Sequence, residues 1–285
     1  MSTRTNLDAL MAQVEEMWEH QDTLFKRIEQ TNQWDNKHGL DWTYADVTYH
    51  LAYCNRDLVL RPLMLGRELP VKERWSFATV ADINDWNEHK FAERPEDWTA
   101  EQSLSELHAI WDQIRQFVSS WTDADLELPY WMSFGGGNWL TVRDGLQWMV
   151  RHDWSEFMQL RIHMGRSEPV PSPEITTQYL TAFASGLFPF FLNKEVAQRR
   201  DFTTVMTFTD PGVSDLVIEV SGGEASVRPG RVEEPDLEIT QSAETFEKTI
   251  RGIQTMPEAI QAGAVRINDL ASLETFGQLF PIDLG

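Results

Sequence analysis

His152 and Glu156 stand four residues apart, and on a helix side chains so spaced lie one above the other, within reach of a single ion. His50 holds a comparable place on an earlier segment, beside an inward line of Val47, Leu51, Cys54 and Leu58. If the two segments pack together, His50, His152 and Glu156 form a set of two nitrogens and one carboxylate. Such a set suits Zn, Ni, Fe or Mn and leaves positions open for water or a substrate. A carboxylate on a core face is costly or protonated without a partner, and a cation removes that cost. The alternative is a polar network in which His152 and Glu156 bond each other or a water. Spacing leaves both open.

Other reactive residues carry less. Cys54 follows His50 by four and can point inward with it; a small buried apolar group is its plainer role and a catalytic thiol the alternative, and it too is a candidate to steady the ligands. Gln159 and His163 continue the face of His152 and are candidates to steady the ligands. His20, His38, His89 and His108 have no partner sets and read as surface or satisfied histidines. Gly135-Gly136-Gly137 is no phosphate loop, because no Gly-Lys-Ser/Thr follows. No nucleophile elbow, dinucleotide fingerprint or HExxH motif occurs.

The elements that position these residues follow from periodicity. Leu7, Leu10, Val14, Met17, Leu24 and Ile28 recur at helical spacing, with Gln21 breaking the line. A second helix starts at Thr43, with Asp46 three residues on as in a capping box, and frays or kinks at Pro62 and Gly66. A further helix is expected around residues 84–93. Leu104, Leu107, Trp111, Ile114, Val118 and Trp121 mark the third long helix. Residues 123–138 read as a connection, and the fourth long helix opens at Thr141 with Asp144 and closes at Gly165. The two Thr–Asp starts look like weak echoes of one another.

Pro169, Pro171 and Pro173 form a stiff boundary, placing the domains at 1–168 and 174–285. Beyond it, residues 174–198 read as one helix disturbed at Gly186 and Pro189. Strand-like segments follow at 202–208, 216–220, 225–228, 237–240 and 264–268, with helices at 242–252 and 270–280. That order gives an α+β domain with a mainly antiparallel five-stranded sheet. Phe183, Leu187, Phe188 and Phe191 either line a pocket for a hydrophobic ligand or pack the helix down, and core demand alone accounts for them.

Net charge is −21, from 45 acidic and 24 basic residues, so a nucleic-acid backbone or an anionic membrane would be repelled. A single cysteine excludes an intrachain disulfide, and no apolar run is long enough to span a bilayer. The expectation is a soluble, cytoplasmic protein.

Residues 1 to about 165 resemble the DinB-like superfamily, which includes mycothiol-dependent maleylpyruvate isomerases. The matching pieces are Trp42-Thr43-Tyr44-Ala45-Asp46-Val47-Thr48-Tyr49-His50-Leu51 and His152-Asp153-Trp154-Ser155-Glu156-Phe157-Met158-Gln159-Leu160. The resemblance implies an all-α, up-down four-helix bundle. It also implies a divalent metal, Zn or Ni, held by one His of the second helix and two residues four apart on the last. Those positions fall on His50, His152 and Glu156, although the commonest family pattern has a second His where Glu156 stands. Residues from about 175 onward resemble a sterol-carrier-like domain, through Pro235-Asp236-Leu237-Glu238-Ile239-Thr240 and Gly263-Ala264-Val265-Arg266-Ile267-Asn268-Asp269. Together they imply a metal-dependent transferase or isomerase acting on a low-molecular-weight thiol adduct, and a homodimer. The competing account is a noncatalytic binder of a small hydrophobic ligand or lipid, with the metal structural or absent.

Overall fold

The computed structural model describes residues 3–38, 42–165 and 169–282. The expected end of the first domain at residue 168 lies outside them. The chain forms two compact units, Met1–Pro169 and Val170–Gly285.

In the first unit, α1 (Thr5–Thr31) buries the whole stripe from Leu7 to Ile28. Gln21, the break in that stripe, is buried too. A short pair of strands, β1 (Lys37–His38) and β2 (Trp42–Thr43), leads into α2 (Tyr44–Cys54). Thr43 Oγ1 accepts from the Asp46 N–H (3.1 Å) and Asp46 Oδ2 accepts from the Thr43 N–H (2.7 Å), so each satisfies an orphan donor of the first turn. Nine of the eleven α2 residues are buried, so this helix has almost no solvent face.

A π-helical turn (Asn55–Leu60) joins α2 to α3 (Arg61–Leu65), and its wide register is sealed by the Arg61 N–H on the Arg56 carbonyl. Pro62 explains it. A proline ring clashes with the carbonyl four residues back and offers it no N–H, and widening the turn frees the Leu58 carbonyl, which accepts from Tyr130 Oη instead.

Then come α4 (Val80–Ala92) and α5 (Ala100–Val118). The segment 123–138 is more than a connection. It contains a short 3₁₀ turn and the strand β3 (Pro129–Met132), which pairs antiparallel with β4 (Asn138–Thr141). Gly135, Gly136 and Gly137 all take positive φ at the bend, which only glycine adopts without strain. The hairpin delivers a buried Tyr130 onto α6 (Val142–His163) at Gly145, where an added Cβ would fall 2.4 Å from the phenol ring. Within this helical unit α2 packs along α5, α1 packs along α6, and α2 also meets α6. Capping boxes start α4 and α5 as well as α2 and α6, so the Thr–Asp echo is a recurrent helix start and no sign of a repeat.

The second unit opens with α7 (Pro173–Phe190), followed by the short α8 (Lys194–Ala197) capped by Asn193. The single helix expected over 174–198 is thus two, broken after Phe190, while Pro189 is accommodated in the last turn of α7. Strands β5 (Phe202–Phe208), β6 (Leu216–Ser221), β7 (Glu224–Pro229), β8 (Leu237–Gln241) and β9 (Arg266–Ile267) form one sheet in the order β7-β6-β5-β8-β9. The sheet is mixed, which corrects the antiparallel expectation: the central strands β5 and β8 run parallel, and the other neighbours are antiparallel. Alternation of apolar residues is blind to strand direction, so only the seven-residue return from β7 to β8 decides it.

Helices α9 (Ala243–Ile250), α10 (Met256–Gln261) and α11 (Leu270–Leu279) complete the unit. Phe188 packs against Phe276 and Phe280, and Phe183 against Tyr179 and Phe246. Leu187 and Phe188 are buried in this packing, whereas Phe183 and Phe191 remain half-buried. Among the described residues, no helix is long and apolar enough to cross a membrane.

Candidate metal centre

His50 lies in the second half of α2 and His152 near the middle of α6. Their Nε2 atoms face each other at 3.1 Å. Cys54 Sγ stands 3.6 Å from His50 Nε2, and one ligand atom from each of His50, Cys54 and His152 lies within 4.8 Å of the others. His50 and Cys54 are buried and His152 is half-buried.

The outer nitrogens fix what the inner ones can do. His152 Nδ1 lies 3.2 Å from Asp153 Oδ1, an acceptor-only group when ionised, so Nδ1 carries the proton. Tyr53 Oη donates to Asn87 Oδ1 (2.9 Å), and His50 Nδ1, 2.6 Å from the same oxygen, donates into it. In the neutral rings both Nε2 atoms then present lone pairs to each other. A cation or an extra proton between them would satisfy both lone pairs.

The spacing fits a metal. Ordinary zinc bonds at tetrahedral angles separate two nitrogens by about 3.3 Å and a nitrogen from a sulfur by about 3.5 Å. The observed 3.1 and 3.6 Å lie near those edges, while Cys54 Sγ is also 3.7 Å from His50 Nδ1 and the third edge lies within 4.8 Å. Burial, then the charges of Glu156, Asp153 and Asp57, push the Cys54 thiol well up. A metal taking this sulfur therefore has to displace its proton. Burial likewise raises the Tyr53 phenol, with Cys54 and Glu156 adding to it, so Tyr53 stays a neutral hydrogen-bonding group. Glu156 is buried one turn beyond His152 on α6, and its charge is felt at both Cys54 and Tyr53.

Aromatic rings back both imidazoles. Trp42 sits 4.9 Å from His50, and Trp148 stacks on His152 at 4.9 Å with planes 22° apart. Phe134 stacks on Trp148 in turn. Gln159 and His163 lie farther along α6, about 10 and 16 Å down the axis from His152 at the usual helical rise. Gln159 Nε2 bonds Ser155 on its own helix (3.4 Å). His20 lies beside Glu16, His89 beside Glu93 and His108 beside Asp22.

Sequence reasoning passed over Asp153, Asn55, Tyr53 and Asn87. The first was legible as the carboxylate next to His152. The others become partners only through tertiary packing.

The helical unit thus brings two imidazoles and a thiol together between α2 and α6, a set of donors able to hold a metal ion. The DinB superfamily model matches residues 13–157, just over half of the chain, and the chain belongs to that superfamily. The crystal structure of the mycothiol-dependent maleylpyruvate isomerase aligns at TM-score 0.51 and 12% identity, over 94% of this chain and 96% of that one. At that identity the likeness is one of fold. The UbiJ-SCP2 ubiquinone synthesis protein matches 35% of this chain and 91% of its own at 19% identity and TM-score 0.30. Sterol carrier protein domain 2 of Helicoverpa armigera matches 36% of this chain and 84% of its own at 17% identity and TM-score 0.30. No curated protein matches the chain.

Proposed function

We propose that this DinB-superfamily chain is a divalent-metal-dependent transferase or isomerase acting on a small-molecule thiol adduct. In this reading the domain 1–168 is an up-down four-helix bundle holding the ion, and the domain 174–285 is a sterol-carrier-like α+β domain. A cytoplasmic, homodimeric setting belongs to the same proposal. The observation that carries it is the facing pair of Nε2 atoms whose partner nitrogens are already engaged by Asp153 and Tyr53.

His50, His152 and Glu156 hold the ion in this reading, with Cys54 as a further donor, and Zn or Ni suits the set. A divalent ion bound there lowers the pKa of a thiol and polarises a carbonyl oxygen. The chain's own residues do the rest. Tyr53 and Asp153 keep the two imidazoles in the ligating tautomer. Trp42 and Trp148 cover them and limit water. The mycothiol dependence named for the matched isomerase motivates a low-molecular-weight thiol as the second component.

A second reading has its own support. With Cys54 and Glu156 both bound, four protein donors close a tetrahedral ion, as in structural sites. In the other unit Gln241 is buried to 1% exposure on the face shared with Leu237 and Ile239, with neither amide atom hydrogen-bonded. Such a group inside an apolar layer suits the polar end of a hydrophobic ligand, and the protein would then be a noncatalytic binder.

Metal analysis of untagged protein prepared without added metal tests the first reading, which expects close to one divalent ion per chain. A stoichiometry far below one refutes it. Adding N-acetylcysteine to the Co(II) form separates the two readings: an open site changes its visible spectrum, and a closed one does not.

A further inference from the structure

We propose that Asn55 is a positioning residue for the metal centre, the group that holds the Asp153 carboxylate against His152. The inference rests on the metal-binding reading above and assigns a role to a residue that touches neither ion nor substrate.

Asn55 opens the π-helical turn directly after Cys54. Its Nδ2 donates one hydrogen to the Leu51 carbonyl (3.0 Å) and the other to Asp153 Oδ1 (3.2 Å), so the amide has no freedom left. Among the described residues, Asp153 Oδ1 meets only this amide and His152 Nδ1, and Oδ2 has no hydrogen-bond partner. Asn55 Oδ1 is likewise buried without one. Both side chains are 1% exposed. Buried acceptors left unmade are expensive. An asparagine beside a buried carboxylate is therefore a poor choice for stability alone, and a good one for aiming an oxygen at an imidazole. Partners that aim a ligating histidine in this way typically account for 10- to 100-fold in metal affinity.

Gln21 supplies an internal control. Its Nε2 donates to the Asp153 main-chain carbonyl (3.3 Å), it is equally buried, and its Oε1 is also unpartnered. It touches the same residue without touching the carboxylate.

The test is Co(II) and Zn(II) affinity, by competition with a chromophoric chelator, together with the visible spectrum of the Co(II) form. Asn55→Leu should bind about 10- to 100-fold more weakly, with a shifted spectrum, whereas Gln21→Leu should stay within about threefold of the parent. Asn55→Ala reads the same loss with less steric demand if the leucine variant does not fold. Asn55 variants that match the parent in affinity and spectrum overturn the role. So does a Gln21→Leu variant that weakens binding as much, since the effect would then be general packing. A parent protein that binds no Co(II) overturns the metal centre itself, and this role with it.

Discussion

His50 Nε2 and His152 Nε2 approach to 3.1 Å while each ring spends its other nitrogen on a partner outside the gap. With the outer nitrogens protonated, two neutral imidazoles in that arrangement repel, and a positive charge between them would relieve it.

His50→Ala and His152→Ala should each abolish stoichiometric metal binding, read by elemental analysis after gel filtration. Because neither residue belongs to the second unit, the fold of Val170–Gly285 should survive, checked by limited proteolysis. Full metal content in either variant would contradict the assignment.

Tyr53→Phe removes the oxygen that accepts from His50 Nδ1 and donates to Asn87. The ring then turns more freely, and metal affinity should fall by roughly tenfold or more. Titration against a competing chelator measures it, and an unchanged dissociation constant would refute the role.

Gly145→Ala places a methyl group 2.4 Å from the Tyr130 ring, which is locked in the interior. Overpacking of this kind costs about 1–3 kcal/mol. Chemical denaturation should show the loss, and the double variant with Tyr130→Leu should recover part of it.

Asp57 carries the clearest acid dependence. Burial alone would raise its carboxyl, but hydrogen bonds and charge from Arg56 and Lys90 outweigh it and hold it below the usual carboxylate range. A depressed folded value means stability that is fully present above the unfolded pKa and lost as pH falls through the folded one. The parent should therefore weaken as acid passes below about pH 4, and Asp57→Asn should be less stable at neutral pH with a flatter acid limb. Parallel acid limbs in thermal melts across pH would disprove the contribution.

Much of this architecture could be read beforehand, and the limits have physical causes. The α1 stripe, the capping Thr43 and Thr141, and the helix faces of His50 and His152 follow local rules that leave a mark in spacing. The β3–β4 hairpin does not, because its strands are four residues long and flank a glycine bend that also suits a loop. The β5–β8 parallel pair joins residues more than thirty apart, beyond the reach of any window. At the site, Cys54 looked like simple core because nearly all of α2 is core. Its place beside His50 is local to α2, and what emerges only on packing is that His152 of α6 closes on the same point.

Tyr130 is the feature with the longest reach. Its hydroxyl grips the carbonyl that Pro62 leaves free on the α2 side, and its ring lies in the notch cut by Gly145 on α6. One phenol therefore acts as a gauge block between the two helices that bear the imidazoles. The spacing of the proposed metal ligands is thereby tied to a strand that contributes no donor, so a change in ring size at residue 130 should alter which ion radius the chain prefers.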